Sequence, residues 1–178
     1  MKNKLLILVI LAVFNFNSIS LAAGSSSGSN DDTKKMSDFD WGEMKIKKAK
    51  KYEKKGKTKK ADKNYKEAIK YFFKANEKDT TNPDVYNYLG FAHRKIGNFK
   101  DAEMYYLIGL ELDPKHNGIN EYLGELYVAT NRMDLAQKRL AVLMNCSCKE
   151  FDELKAVIEG KKNLNINFFY FYCLNQFY

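Results

Sequence analysis

Three cysteines, two histidines and one dense run of lysines are the residues of this 178-residue chain whose types could do chemistry. Cys146 and Cys148 are two positions apart, a spacing that a small disulfide at a turn can bridge in an oxidising compartment. The alternatives are two buried free thiols, or a bond from one of them to Cys173. Three thiols cannot all pair within one molecule. His93 and His116 do not join the cysteines at any zinc-ligand spacing, so no metal site is expected. His93 falls on an inward helical position and is expected to pack there. His116 falls in a turn and is expected to face solvent. Two such histidines build no Ser–His–Asp arrangement, and no glycine-rich phosphate loop follows a strand. The chain therefore reads as a non-enzyme, with no catalytic residue and no cofactor.

Between Lys45 and Lys63 stand 11 lysines against Glu53 and Asp62, a balance of +9 in a chain whose total is +8. The segment serves as a surface for anions, or simply as a solvated helix face. Only three of the 30 basic residues are Arg, the better fork for phosphate, which argues against a nucleic-acid site. The two N-terminal lysines, Lys2 and Lys4, lead into an apolar run from Leu5 to Phe14 and then into Ser20-Leu21-Ala22-Ala23. That pattern is a secretory signal peptide (1–22), too short in its apolar part to span a bilayer. Cleavage is expected after Ala22 or Ala23. The mature protein is then secreted or periplasmic, with no transmembrane helix.

The elements that would position these groups repeat. From Pro83 to His116 the chain reads as two helices joined at Gly97-Asn98, and its landmarks recur at a spacing of 34. Gly56, Gly90 and Gly124 form one column, Ala68, Ala102 and Ala136 another. Tyr65, Phe99 and Met133 form a third, and Phe72, Tyr106 and Leu140 a fourth. Pro83 suits a first helical turn, and Asp113-Pro114 ends the second helix. In the first unit Lys55 and Lys59 stand where Leu89 and His93 stand later. Buried lysine needs a partner, so that helix is expected to be peripheral, of altered length, or frayed. Trp41 marks where packing is expected to begin.

The run Tyr86-Asn87-Tyr88-Leu89-Gly90, followed by Gly97-Asn98-Phe99, Ala102, Tyr106 and Leu112-Asp113-Pro114, resembles the tetratricopeptide repeat consensus. The resemblance covers about two-thirds of the chain. It implies an all-α fold, a short right-handed solenoid of about three helix–turn–helix repeats with a C-terminal capping helix. The repeats span about 49–82, 83–116 and 117–148, with the cap at 149–160. A flexible Gly/Ser-rich linker (23–40) precedes this domain (41–160), and an aromatic tail (161–178) follows it. The third unit has Cys148 at the column of Pro114 and Leu143 at that of Gly109, so a standard repeat is not expected to follow. Ser147-x-x-Glu150 has the spacing of a capping box, and Phe151, Leu154 and Ile158 give the cap an apolar stripe. The tail has seven aromatics between residues 164 and 178 and no charge. It could pack on the solenoid, meet a membrane interface, or have little role.

The resemblance also implies a concave face lined by the first helix of each repeat. On it would lie Asn87, Phe91, Arg94 and Lys95, and one repeat later Glu121, Glu125, Val128 and Ala129. An exposed Phe91 beside Arg94, facing Glu121 and Glu125, would offer an apolar anchor among charges of both signs. Such a face suits a peptide or partner protein, unless it is simply solvated. The expected function is an exported, non-catalytic interaction module. The alternative is an envelope-surface protein held electrostatically to anionic lipid or wall polymer through Lys45–Lys63.

Overall fold

The computed structural model of the chain describes residues 35–162. The expected signal peptide (1–22), the linker up to residue 34, Cys173 and the tail from 163 onwards lie outside the described residues. Among the described residues there are seven helices and no strand. They run α1 (Asp38–Glu53), α2 (Thr58–Lys78), α3 (Pro83–Lys95), α4 (Phe99–Leu112), α5 (Asn117–Ala129), α6 (Met133–Leu143) and α7 (Lys149–Ile158). None is long and apolar enough to cross a membrane. The helices pack in hairpins, α1 with α2, α3 with α4 and α5 with α6, and α7 lies against α5 and α6.

The three hairpins share one turn. The Lys57, Asn98 and Arg132 amides donate to the carbonyls of Tyr52, His93 and Tyr127 at 2.9, 2.9 and 2.8 Å. The residue before each donor is left-handed: Gly56 at φ +66°, Gly97 at +81° and Asn131 at +57°. This six-to-one bond with a left-handed residue is the Schellman end of a helix. It makes Gly56, Gly97 and Asn131 equivalent positions.

That equivalence corrects the first repeat. Gly56 does not join Gly90 and Gly124 at a helix crossing; it sits in the turn with no neighbour within 4 Å of where its Cβ would be. The crossing glycine of the first hairpin is Gly42, whose Cβ would lie 2.6 Å from the Phe72 ring, as that of Gly90 would lie 2.5 Å from Tyr106. Thirty positions separate Gly42 from Phe72 and sixteen separate Gly90 from Tyr106, so the first hairpin holds fourteen extra residues. Seven fall on each helix, about two turns apiece. The helix is neither frayed nor forced to bury lysine. Lys55 is in the turn, Lys59 is in the first turn of α2, and the inward residues of α1 are Gly42, Ile46 and Ala49. The repeat begins at Asp38, inside the expected linker and well before residue 49. There Ser37 Oγ accepts from the Asp40 amide at 3.1 Å while Asp40 Oδ2 accepts from the Ser37 amide at 2.8 Å. This is a capping box formed by Asp in place of Glu.

Aromatic rings fill the space that the glycines open. Phe72 stacks on Tyr88 with 4.9 Å between centroids and meets Phe39 edge-on at 5.6 Å. Packing thus begins at Phe39, whereas Trp41 remains 38% exposed and stacks on Tyr71. Gly109 lets the second repeat meet the third, since its Cβ would stand 2.5 Å from Ile119. Leu154 fills the corresponding space above Gly124. With Val157 it closes the last hairpin. The expected cap at Ser147 is not formed. The N-cap of α7 is Cys148, with no side-chain bond to the helix. Ser147 is left-handed at φ +49°, whereas an N-cap needs extended backbone. It lies between Cys146 and Cys148, which are joined as a disulfide with 5.1 Å between their Cα atoms.

His116 is not a solvent-facing turn residue. It caps α5, its Nδ1 accepting from the Ile119 amide at 3.2 Å while Nε2 lies 3.1 Å from Asp84. His93 is buried as expected, with Nδ1 3.3 Å from the Asn98 amide group and 3.7 Å from Asp101.

Candidate functional site

The first helices of successive hairpins, α1, α3 and α5, together with the flanks of α7, surround a cavity of about 380 Å³. Each contributes one face at helical spacing. Phe91, Arg94 and Lys95 come from α3, and Glu121, Tyr122 and Glu125 from α5. The extra turns of α1 bring Lys50, Glu53 and Lys54 over the same space, and Lys149, Glu153 and Lys162 close its far end.

Two rings form its apolar part, Phe91 and Tyr122, with centroids 5.1 Å apart. The Arg94 guanidinium lies 5.7 Å from the first ring and 5.4 Å from the second, and Lys50 Nζ sits 4.5 Å above the first. Phe91 is consequently only 6% exposed, not the open anchor expected of it. The lengthened α1 is the physical reason, because it carries Lys50 onto the ring.

The charges are paired in layers. Arg94 and Glu125, each nearly buried, meet at 2.8 Å. Burial opposes the Arg94 charge, but the Glu125 carboxylate more than reverses this and holds the guanidinium above its usual range. Lys95 Nζ reaches Glu53 at 2.9 Å, and the Tyr65 hydroxyl donates to the other Glu53 oxygen at 2.9 Å. Burial draws the Lys95 ammonium below its ordinary range, with Glu53 opposing. Lys162 bridges Glu125 and Glu153. Burial first, then the Glu125 carboxylate, pushes the Glu121 carboxyl up to about 7.

This predicts a pH-dependent variant. The folded state holds the Glu121 proton more tightly than the unfolded chain, where the ordinary value is 4.5. Stability is therefore lost as pH rises from about 4.5 through 7, and the whole penalty is present above that. Glu121→Gln keeps the shape without the charge. It is expected to be close to neutral at pH 4.5 and stabilising by roughly 2–3 kcal/mol at pH 8. Urea unfolding at the two pH values reads the difference; equal effects at both would contradict it.

Of the residues expected on the concave face, Phe91, Arg94, Lys95, Glu121 and Glu125 line this cavity. Asn87 lines an adjoining space of about 440 Å³, with Asp84, His116 and Glu150, which shares Glu121 and Tyr122 with the first. Val128 lines neither; it packs on the core of the last hairpin, and Ala129 is buried. The residues not anticipated are Lys50, Glu53, Lys54, Tyr122, Lys149, Glu153 and Lys162. For Tyr122 there was a signal, since it stands 34 positions after the aromatic Tyr88. For the α1 residues the signal was the distance from Gly42 to Phe72.

No protein-family model matches the chain, and no curated relative does. Among solved structures, the type III secretion translocator chaperone SycD of Yersinia enterocolitica is similar with a TM-score of 0.50 at 18% identity, over 77% of this chain and 93% of that one. The same chaperone in complex with a peptide of the translocator YopD gives 0.49 at 20% identity, over 66% of this chain and 86% of that one. The Arabidopsis OM64 TPR domain gives 0.45 at 18% identity, over 70% and 99%. Seven helices in repeating hairpins, and the likeness to the first of these chaperone structures, show that the described chain has the all-α tetratricopeptide-repeat solenoid fold.

Proposed function

We propose that the protein is an exported, non-catalytic interaction module that holds a segment of a partner protein in the cavity framed by α1, α3, α5 and α7. One observation carries this reading: two adjacent rings lie in a concave space rimmed by cations and carboxylates, and that space continues into a second one through Glu121 and Tyr122. A peptide has both an apolar and an ionic part to place there, and a row of first-helix faces offers it a path. Lys50, Lys54 and Glu121 remain available to it, because none has an ion pair among the described residues. Export rests on Lys2, Lys4, the apolar run from Leu5 to Phe14 and the small residues that follow. N-terminal sequencing of the protein recovered outside the cytoplasm should begin at Ala23 or Gly24; an intact Met1 would contradict it.

The cavity is tested with a photo-reactive amino acid placed at Lys54 or Lys149 on its rim, or at Lys138 on the outer face of α6. In the native host the rim positions should each give an adduct with the same polypeptide, and position 138 none. Adducts from the outer face alone, or none from the rim, would overturn the reading.

A further inference from the structure

The fourteen residues added to the first hairpin, 50–63, are themselves the heart of the lysine run. They hold eight lysines against Glu53 and Asp62. The fold separates those signs. Glu53 turns inward to Lys95 and Tyr65, and Asp62 is half-buried. The eight lysines are all exposed, and none has a carboxylate at ion-pair distance among the described residues. Two turns of helix rise about 10 Å. That is roughly one Debye length at physiological salt. Lys50 and Lys54 face the cavity, and a plane touching the turn at Gly56 would feel the other six charges at once.

A second observation shows that this charge is kept against local stability. The N-terminus of α2 has Lys57 as its N-cap, without a side-chain cap bond, and no acidic residue in its first turn. Lys59 and Lys60 stand there instead, against the helix dipole. Each of the other two hairpins has an Asp in the first turn of its second helix, Asp101 in α4 and Asp134 in α6. That departure from the helix-dipole rule points to a use for the lysines that make it.

We propose that the α1–α2 tip docks on an anionic lipid surface, with the peptide cavity held behind it. The exposed charges at the turn are all lysine and no aromatic ring is exposed there, so it lacks the forks and stacking platforms of a nucleic-acid site. Delocalised attraction between lysines and a negatively charged plane needs neither, and is worth about a fivefold gain in binding for each lysine near the surface. No apolar side chain at the turn is placed to insert, so the attachment is electrostatic and reversible.

The test is co-sedimentation of the full chain with vesicles of phosphatidylcholine alone or with about one-third phosphatidylglycerol, in a series of salt concentrations. The comparison is with the triple variant Lys55→Glu, Lys57→Glu, Lys59→Glu, which retains Lys2, Lys4 and the apolar run and so controls for them. Its substitutions are at exposed positions, and Glu at 59 favours the α2 N-terminus, so the fold persists; thermal unfolding verifies this. The wild type should bind the anionic vesicles at least about tenfold more tightly than the neutral ones and more tightly than the variant, and both advantages should vanish as salt rises. Equal binding to the two vesicle types, equal binding by the variant, or binding to soluble polyphosphate without binding to vesicles would each overturn it. The rim adducts at Lys54 and Lys149 report separately on the cavity.

Discussion

Replacing Glu125 by Gln should lower unfolding stability by about 3–5 kcal/mol, the cost of leaving a buried cation without its counter-charge. Arg94 has 6% of its side chain exposed and Glu125 9%, and their 2.8 Å contact is the principal compensation for the guanidinium. Arg94 Nε is buried and has no hydrogen-bond partner, so little else can take up the charge. Solvent cannot replace the carboxylate without opening the cavity wall. Arg132 and Glu103 form the control. Their contacts are as short, two at 2.8 Å, but the side chains are 35% and 25% exposed. Glu103→Gln should therefore cost only about 1 kcal/mol or less. The double replacement Arg94→Met with Glu125→Leu should recover much of the loss, because two apolar groups of similar size need no pairing. Urea unfolding of the four proteins reads the differences. A loss at Glu125 no larger than that at Glu103 would show that the pair is not desolvated as described.

The second large effect concerns the register of the first hairpin. Gly42→Val should destabilise by about 2–3 kcal/mol, because even a Cβ would press into Phe72 at 2.6 Å. That ring is fully buried and held between Phe39 and Tyr88, so it has nowhere to move. Gly56→Asn should stay within about 1 kcal/mol of the parent, since the position is open and needs only left-handed backbone, which Asn adopts most readily after Gly. The molecule already does this at Asn131, the equivalent turn of the last hairpin. A strict 34-residue register expects the reverse, with Gly56 at the crossing and Gly42 outside the array. Thermal unfolding of the two variants separates these registers.

The contrast between the two glycines explains which parts of the fold could be read from residues. In the second and third hairpins, small and aromatic columns, Pro83 and the Gly97-Asn98 turn all agree, and α3 to α6 are where those features place them. In the first hairpin the extra seven residues per helix are close to two whole turns, about 20° short of an exact fit. Faces therefore stay nearly in phase, and Tyr65, Ala68 and Phe72 of α2 keep their columns. The same near-integer length let Gly56 fall at the spacing of Gly90 while belonging to the turn. α1 gave little warning, because its fully buried residues, Gly42, Ile46 and Ala49, are small or isolated among lysines. The cavity inherits the consequence. Five of the eight residues expected on the concave face line it, because they follow from first-helix faces. The lysine that covers Phe91 and the Glu53 that pairs with Lys95 could not be placed without knowing how far α1 extends. His116 illustrates a different gap: its Asp84 contact depends on two hairpins meeting, which no local spacing encodes.

The central claim is that the cavity between α1, α3, α5 and α7 receives a segment of another protein. Its most direct test is titration of ¹⁵N-labelled protein with a peptide from the polypeptide captured at Lys54 and Lys149, followed by amide chemical shifts. The shifts should move in a saturable way at Phe91, Arg94, Glu121, Tyr122 and Glu125 and stay fixed on the outer faces of α2, α4 and α6. Saturable shifts confined to those outer faces, or no shifts at all at millimolar peptide, would contradict it.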